Sequence, residues 1–113
     1  MTSKRKPRGP NRKVANRIEL LGRLINPPEL RTTPAGTPFL RLLVDCGAAN
    51  GELVLSVVMA GNDARAVASQ LKSGREVRAT GALRTVRGRT RAGIALAGVE
   101  VLASEIAPAD EPH

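Results

Sequence analysis

The sequence predicts an all-β domain of five strands, with one helix between the third and fourth strands. Three observations indicate this fold class. Apolar and polar residues alternate along several segments, Gly and Pro separate those segments, and one segment alone has apolar residues at helical spacing. The 113 residues fit a single domain, and a hydrophobic fraction of 42% is too high for a wholly disordered chain.

The strand predictions follow from which residues share a face. In the second strand, Leu40 and Val44 oppose Phe39 and Arg41. The third strand is apolar on both faces, which is typical of a central strand. The prolines and glycine of residues 27–36 are expected to interrupt any regular element, with a turn at residues 33–36. The predicted strands are residues 16–25, 39–45, 52–60, 77–84 and 94–103.

One helix is predicted after the third strand. Asn62 or Asp63 is expected to cap its start, and Gly74 lies where a helix stop belongs. Its apolar face would consist of Ala64, Val67, Ala68 and Leu71. The resulting order β-β-β-α-β-β matches the OB-fold, a five-stranded, partly open Greek-key barrel.

Charge and composition divide the chain into three parts. We expect residues 1–14 to be a disordered basic tail, residues 15–104 to be the OB-fold domain and residues 105–113 to be a flexible C-terminus. Residues 1–13 carry +6 and residues 75–91 carry +5, so a total charge of +8 leaves −3 for the rest. Two basic patches on a mildly acidic body favour a polyanionic partner.

Catalytic, metal-binding and membrane functions have little support in the sequence. His113 is the one histidine, so no triad or Cys-His pair can be assembled. No His/Cys cluster or phosphate-binding glycine loop is present, and we expect no metal and no cofactor. No segment has the roughly 20 apolar residues of a membrane span. Cys46 is the one cysteine, which fits a reducing compartment and a cytoplasmic protein.

Several short segments resemble a known family. NRIELLGRL at residues 16–24 and PELRTTPAGTP at residues 28–38 are similar to the bacterial single-stranded DNA-binding proteins, a family that includes primosomal replication protein N. VVMAG at residues 57–61, KSG at residues 72–74 and GALRT at residues 81–85 continue the match in order. The resemblance implies an OB-fold that binds single-stranded DNA without strong sequence preference. It also implies a homo-oligomer, dimer or tetramer, that serves replication, repair or restart, with replication or restart proteins as possible partners and no enzymatic activity.

The chain departs from the resembling family in its aromatic residues. By this alignment, family members place stacking aromatics where this chain has Val54, Ala60 and Gly88. The loop at residues 47–51 is short. Residues 110–113 include two acidic residues but do not form the acidic tail that recruits partner proteins in the family. A DNA-binding face poor in aromatics is closer to primosomal replication protein N, whose relatives tend to be dimers.

The predicted binding residues are mainly arginines, because a guanidinium binds phosphate bidentately and also stacks on bases. No acid lies between Arg78 and Arg91, so we prefer a DNA-binding hairpin there to a merely solvated tip. Arg41 and Arg78 face outward and could line a groove or be ordinary exposed charges. Phe39 is more often a core residue than a stacking platform. The candidate DNA-binding residues are Arg41, Arg78, Arg84, Arg87, Arg89, Arg91, Arg12, Lys13 and Phe39.

Some charges have simpler interpretations, and two other functions stay open. Arg17 and Arg23 flank Glu19 and could pair with it, and Arg31 could pair with Glu29. The alternative functions are an RNA-binding OB module and a protein-interaction OB subunit that has lost nucleic-acid binding.

Overall fold

The structure, a computed structural model, describes residues 14–47, 51–89 and 95–109. These residues form six strands and one helix. The elements are β1 (Ile18–Leu24), β2 (Glu29–Thr32), β3 (Pro38–Asp45), β4 (Val54–Ala60), α1 (Asp63–Gln70), β5 (Glu76–Arg89) and β6 (Ala95–Pro108).

Five of these strands close into a barrel. Their order is β1-β5-β6-β4-β3, and β3 pairs again with β1 to complete the ring. The closing seam between β1 and β3 consists of two residue pairs, Arg23 with Asp45 and Leu24 with Val44. Among the described pairings, β4 and β6 run parallel and the others run antiparallel. The predicted OB-fold is confirmed, with the helix between the third and fourth barrel strands.

The barrel interior holds one apolar core, built from alternate residues of every barrel strand. β4 pairs with β3 on one side and β6 on the other, as its apolar sequence predicts. The alternation predicted for β1 and β3 is confirmed, with Leu20, Leu24, Leu40, Leu42 and Val44 buried. On β5, Val77 and Ala79 are buried as predicted, whereas the inward position predicted for Leu83 was wrong, since Leu83 is 37% exposed. The fully buried core side chains include Leu24, Leu40, Leu42, Val44, Val57, Val77 and Val101.

The strand β2 was not predicted from the sequence. It pairs with β3 from Glu29 opposite Arg41 to Thr32 opposite Pro38. The expectation that prolines interrupt this region was wrong because the prolines flank the strand, where they remove no ladder hydrogen bond. The predicted turn is present: the Gly36 N–H donates to the Thr33 carbonyl at 2.8 Å, and Gly36 has φ +91°.

The strands β5 and β6 are each 14 residues long and form the longest hairpin among the described strands. Their register shifts between Thr80 and Gly81, where a Cβ on Gly81 would collide with the Leu102 carbonyl. The predicted end of the last strand at residue 103 was wrong. The strand continues to Pro108 because Ile106 packs into the core.

The helix α1 is short and packs its predicted face onto the barrel. Ala64 and Leu71 are buried, and Val67 and Ala68 pack beside them. Asn62 is the N-cap, without a capping hydrogen bond from its side chain. The helix ends at Gln70, earlier than Gly74 suggested. Gly74 instead lies in the following turn with φ +90°, and its N–H donates to the Leu24 carbonyl at 2.7 Å.

The domain boundaries predicted from composition stay predictions. The basic tail lies outside the described residues, except for Val14, which is exposed. Residues 110–113 also lie outside the described part of the chain. In the described residues, no helix has the length and apolar character needed to cross a membrane.

Candidate nucleic-acid interface

One side of the barrel presents a charged surface that spans four strands. The pairing register aligns Arg41 on β3 with Val58 on β4, Val58 with Leu102 on β6, and Leu102 with Ala82 on β5. Side chains two residues away on the same strands share this surface. We call this surface the outer face, defined by Phe39, Arg41, Val58, Leu102, Glu100 and Arg84.

The centre of the outer face is a buried carboxylate between two arginines. Glu100 is 6% exposed. The Nε and Nη2 atoms of Arg84 both lie 2.9 Å from Oε1 of Glu100, and Nη2 of Arg41 lies 3.9 Å from Oε2. A buried carboxylate needs such partners, because leaving it unpaired costs several kcal/mol, about 3–5 when one partner is removed. Glu100 therefore joins two cations that come from different strands.

Strand pairing explains how the two arginines reach the same carboxylate. Arg84 lies directly opposite Glu100 in the β5–β6 ladder. The backbone of the preceding residue, Leu83, is held by the side chain of Asn16. The Asn16 Nδ2 donates to the Leu83 carbonyl at 2.8 Å, and its Oδ1 accepts from the Leu83 N–H at 3.0 Å. Arg41 instead reaches Glu100 from β3, across the whole width of β4. Both arginine side chains remain 48% exposed, so each keeps donors that face solvent.

Phe39 lies on the outer face and not in the core. Its neighbours Pro38 and Leu40 are buried, whereas Phe39 is half-buried and outside the core cluster. The preference for a core phenylalanine was therefore wrong, because strand alternation turns this residue outward. The Cζ atom of Arg41 lies 5.9 Å from the centre of the ring, at the outer limit of a cation–π contact.

A cleft of about 240 Å³ opens beside this ring, along the edge of the β2–β3 hairpin. Arg31 pairs in register with Phe39, and Glu29 pairs with Arg41. The Arg31–Glu29 ion pair considered from the sequence is present at 3.8 Å and is well exposed. The cleft is lined by Glu29, Arg31, Thr32, Thr33, Phe39 and Arg41.

The comparison with known families agrees with this geometry. The model of the single-strand binding protein family matches residues 15–108 of the chain. The chain belongs to the single-strand binding protein family. No curated protein matches it. Membership in the single-strand binding protein family supports single-stranded DNA as the ligand class and a binding role without catalysis. It agrees with the closed five-stranded barrel described above.

Within this family, the outer face differs from the aromatic surface that the resemblance implied. Val54 and Ala60 are both exposed on β4, and Ala60 lies directly opposite Phe39 in the β3–β4 ladder. Leu102 contributes aliphatic surface and is 39% exposed, whereas Val58 on the same face is fully buried although it lies outside the core cluster. The sequence pattern did not predict the positions of Leu102 and Val58 on this face or the role of Glu100.

Arg78 does not belong to the cluster around Glu100. Its Nη1 lies 3.6 Å from Oε2 of Glu19, on the neighbouring strand β1. Arg78 is six residues from Arg84, about 20 Å along β5. Of the partners considered for Glu19, Arg23 instead donates from Nη1 to the Gly74 carbonyl at 2.6 Å, and Glu19 forms its ion pair with Arg78.

The arginines of the β5–β6 hairpin do not all lie on the same face of the strand. Arg87 is exposed, and the three-residue separation places it on the strand face opposite to Arg84. Within the described residues, Arg87 has no hydrogen bond or ion pair. Arg89 is the last described residue of β5 and pairs in register with Ala95. Arg91 lies outside the described residues, as do Arg12 and Lys13.

Cys46 has the properties of a packing residue, as expected from the sequence. It is partly buried against the core. Burial raises the pKa of its thiol, and the negative charge of Asp45 raises it further. The thiol therefore stays neutral at physiological pH. Among the described residues, no group of three or more His, Cys, Asp or Glu residues could hold a metal ion.

Proposed function

We propose that this chain binds single-stranded DNA along the outer face, without strong sequence preference and mainly through its phosphates. The observation that carries this proposal is the pair Arg41 and Arg84, which Glu100 joins across three strands while both side chains stay half exposed. Two cations share one carboxylate, so the cluster keeps a net positive charge toward solvent. A phosphate is the natural ligand of such a pair, because a guanidinium matches its geometry.

The surroundings of this pair suit a single strand rather than a duplex read in its grooves. Leu102 provides an exposed aliphatic contact between the strands of the two arginines, Val54 adds another farther along β4, and Phe39 adds one aromatic ring. Aliphatic surface contacts a base without distinguishing its hydrogen-bonding edge, so sequence preference should be weak. Single-strand binding of this kind normally combines a basic groove with stacking. In this chain we expect the basic groove to contribute more to the affinity than stacking does.

The hairpin and the tail would add positive charge away from the outer face. The exposed Arg87 lies on the opposite face of β5 from Arg84, and with Arg89 and Arg91 later in the chain it would attract the phosphates of a strand that continues beyond the outer face. Arg12 and Lys13 would add attraction from the N-terminal tail. Arg78, which is paired with Glu19, would contribute only to the general field.

Family membership supports the wider role that we propose. The chain would act without catalysis in DNA replication, repair or restart, as a cytoplasmic homo-oligomer. Partners among replication or restart proteins belong to the same proposal. Light scattering of the purified chain distinguishes a dimer from a tetramer.

The direct test is a titration of a labelled oligo-dT by fluorescence anisotropy at two salt concentrations. We expect binding at low salt that weakens steeply with added salt, because each neutralised phosphate contributes roughly 0.7 to the logarithmic slope for single strands. Affinity that does not change with salt would contradict the phosphate mechanism. Failure to bind at low salt would contradict the function itself. Competition between oligo-dT and a structured RNA of equal length decides between DNA and RNA as the preferred ligand.

A further inference from the structure

We propose that the cleft beside Phe39 is a subsite for a single nucleobase, which stacks on the ring while the arginines hold the backbone. This inference rests on the proposed function, since it concerns what the same strand does at one edge of the outer face. It adds a stacking contact at a position that the aromatic pattern of the resembling family did not suggest.

The size of the cleft fits one flat ring system. Its volume of about 240 Å³ lies below the roughly 300–1,000 Å³ of pockets that enclose drug-sized ligands. Its lining residues come from β2, β3 and the turn between them, and Phe39 is among them. Phe39 is the one aromatic residue among the 113 residues, and it is half-buried with its side chain outside the core. The ring is therefore fixed by the strand and still accessible.

The chemistry of the cleft suits a base more than a purely apolar ligand. The Thr33 hydroxyl oxygen accepts a hydrogen bond from the Thr37 N–H at 3.1 Å, which leaves its hydrogen free to donate. Arg31 offers guanidinium donors and Glu29 offers acceptors, and their mutual contact of 3.8 Å is loose and exposed. A base with both donor and acceptor edges could therefore be bound in more than one orientation.

Arg41 connects the cleft to the phosphate-binding centre. Its Cζ atom lies 5.9 Å from the ring centre, and its Nη2 atom lies 3.9 Å from Glu100. Both contacts are long, so Arg41 can shift toward a phosphate without losing a close partner. A base on Phe39 and its phosphate on Arg41 would then occupy neighbouring positions on the outer face.

The position of the Phe39 ring allows it to stack on a base in place of the aromatic residues that this chain lacks. Ala60, where the resemblance implies an aromatic, lies directly across the ladder from Phe39. A ring on β3 at this register covers the surface that a ring at the end of β4 would cover. Stacking is worth about 1–3 kcal/mol per base, so one such ring contributes a measurable share of the affinity.

The test compares oligo-dT with an abasic oligonucleotide of the same length, for the full chain and for Phe39→Leu. The leucine keeps apolar bulk and removes the ring. We expect the variant to bind oligo-dT at least about 5-fold more weakly and to bind the abasic strand as the parent chain does. Phe39→Tyr should restore the parent affinity for oligo-dT. Ile25→Ala, at an exposed apolar residue after β1, is the control and should change neither affinity.

A photocrosslink locates the contact directly. Oligo-dT with one 5-iododeoxyuridine should crosslink to the tryptic peptide of residues 32–41, which contains Phe39. Crosslinks confined to other peptides would overturn the inference, as would equal losses on both oligonucleotides with Phe39→Leu. Thermal melting of each variant identifies a folding defect, and the tyrosine variant then decides the question. If the parent chain binds neither oligonucleotide, the proposed function fails, whereas a parent chain that binds oligo-dT and the abasic strand equally well overturns this subsite alone.

Discussion

The two ends of the outer face hold the same residue type in different states. Arg84 has two contacts of 2.9 Å with Glu100, whereas Arg41 approaches that carboxylate only to 3.9 Å and lies 5.9 Å from the Phe39 ring. Both side chains are 48% exposed, so exposure does not distinguish them. We infer from the number and length of these contacts that Arg84 is held in place by Glu100, whereas Arg41 is free to change its conformation when a ligand binds.

The largest expected effect concerns folding stability. Arg84→Ala removes the close partner of a buried carboxylate and should lower the free energy of unfolding by about 3 kcal/mol. Arg41→Ala removes a long, half-exposed contact and should cost less than about 1 kcal/mol. Urea denaturation followed by circular dichroism measures both values. Equal losses for the two variants would contradict the distinction between the two ends.

A smaller effect is expected when each arginine is replaced by lysine, which keeps the charge but not the forked geometry. Arg84→Lys cannot reproduce two contacts to one oxygen, and we expect its affinity for oligo-dT to fall about tenfold, or 1.4 kcal/mol. Arg41→Lys should stay within about threefold of the parent, since its contacts already resemble those of a point charge. Anisotropy titrations at one low salt concentration provide both values. A larger loss for Arg41→Lys than for Arg84→Lys would reverse the assignment.

The smallest effect per residue is expected from the hairpin, where Arg87 has no described partner. Replacing Arg87, Arg89 and Arg91 together by Ala should reduce the salt dependence of oligo-dT binding by up to about 2 units of slope, at roughly 0.7 per phosphate contact. The matched control replaces Arg17, Arg65 and Lys72 by Ala, which removes the same charge elsewhere. If both triple variants change the slope equally, the hairpin contributes only net charge.

Hydrophobic alternation was enough to predict most of the barrel and the outward direction of Arg41 and Arg84. The same pattern already separates Arg84 from Arg87, because an odd spacing puts two residues on opposite faces of a strand. It could not reveal the role of Glu100, since that depends on the register of the β5–β6 hairpin and on β3, which is far from that hairpin in sequence. The strand β2 was missed for another reason: prolines mark its borders, and their presence nearby concealed a short edge strand.

The seam between β1 and β3 has a consequence for how this barrel moves. It consists of two residue pairs, as does the parallel β4–β6 contact, against thirteen in the β5–β6 ladder. Gly22 permits the close approach there, since a Cβ would lie 2.5 Å from the Asp45 carbonyl oxygen. Local opening requires few broken contacts at such a point, so amide hydrogens there should exchange with solvent before those of the β5–β6 ladder. The barrel can therefore open at this seam while Glu100 and Arg84 stay paired in that ladder.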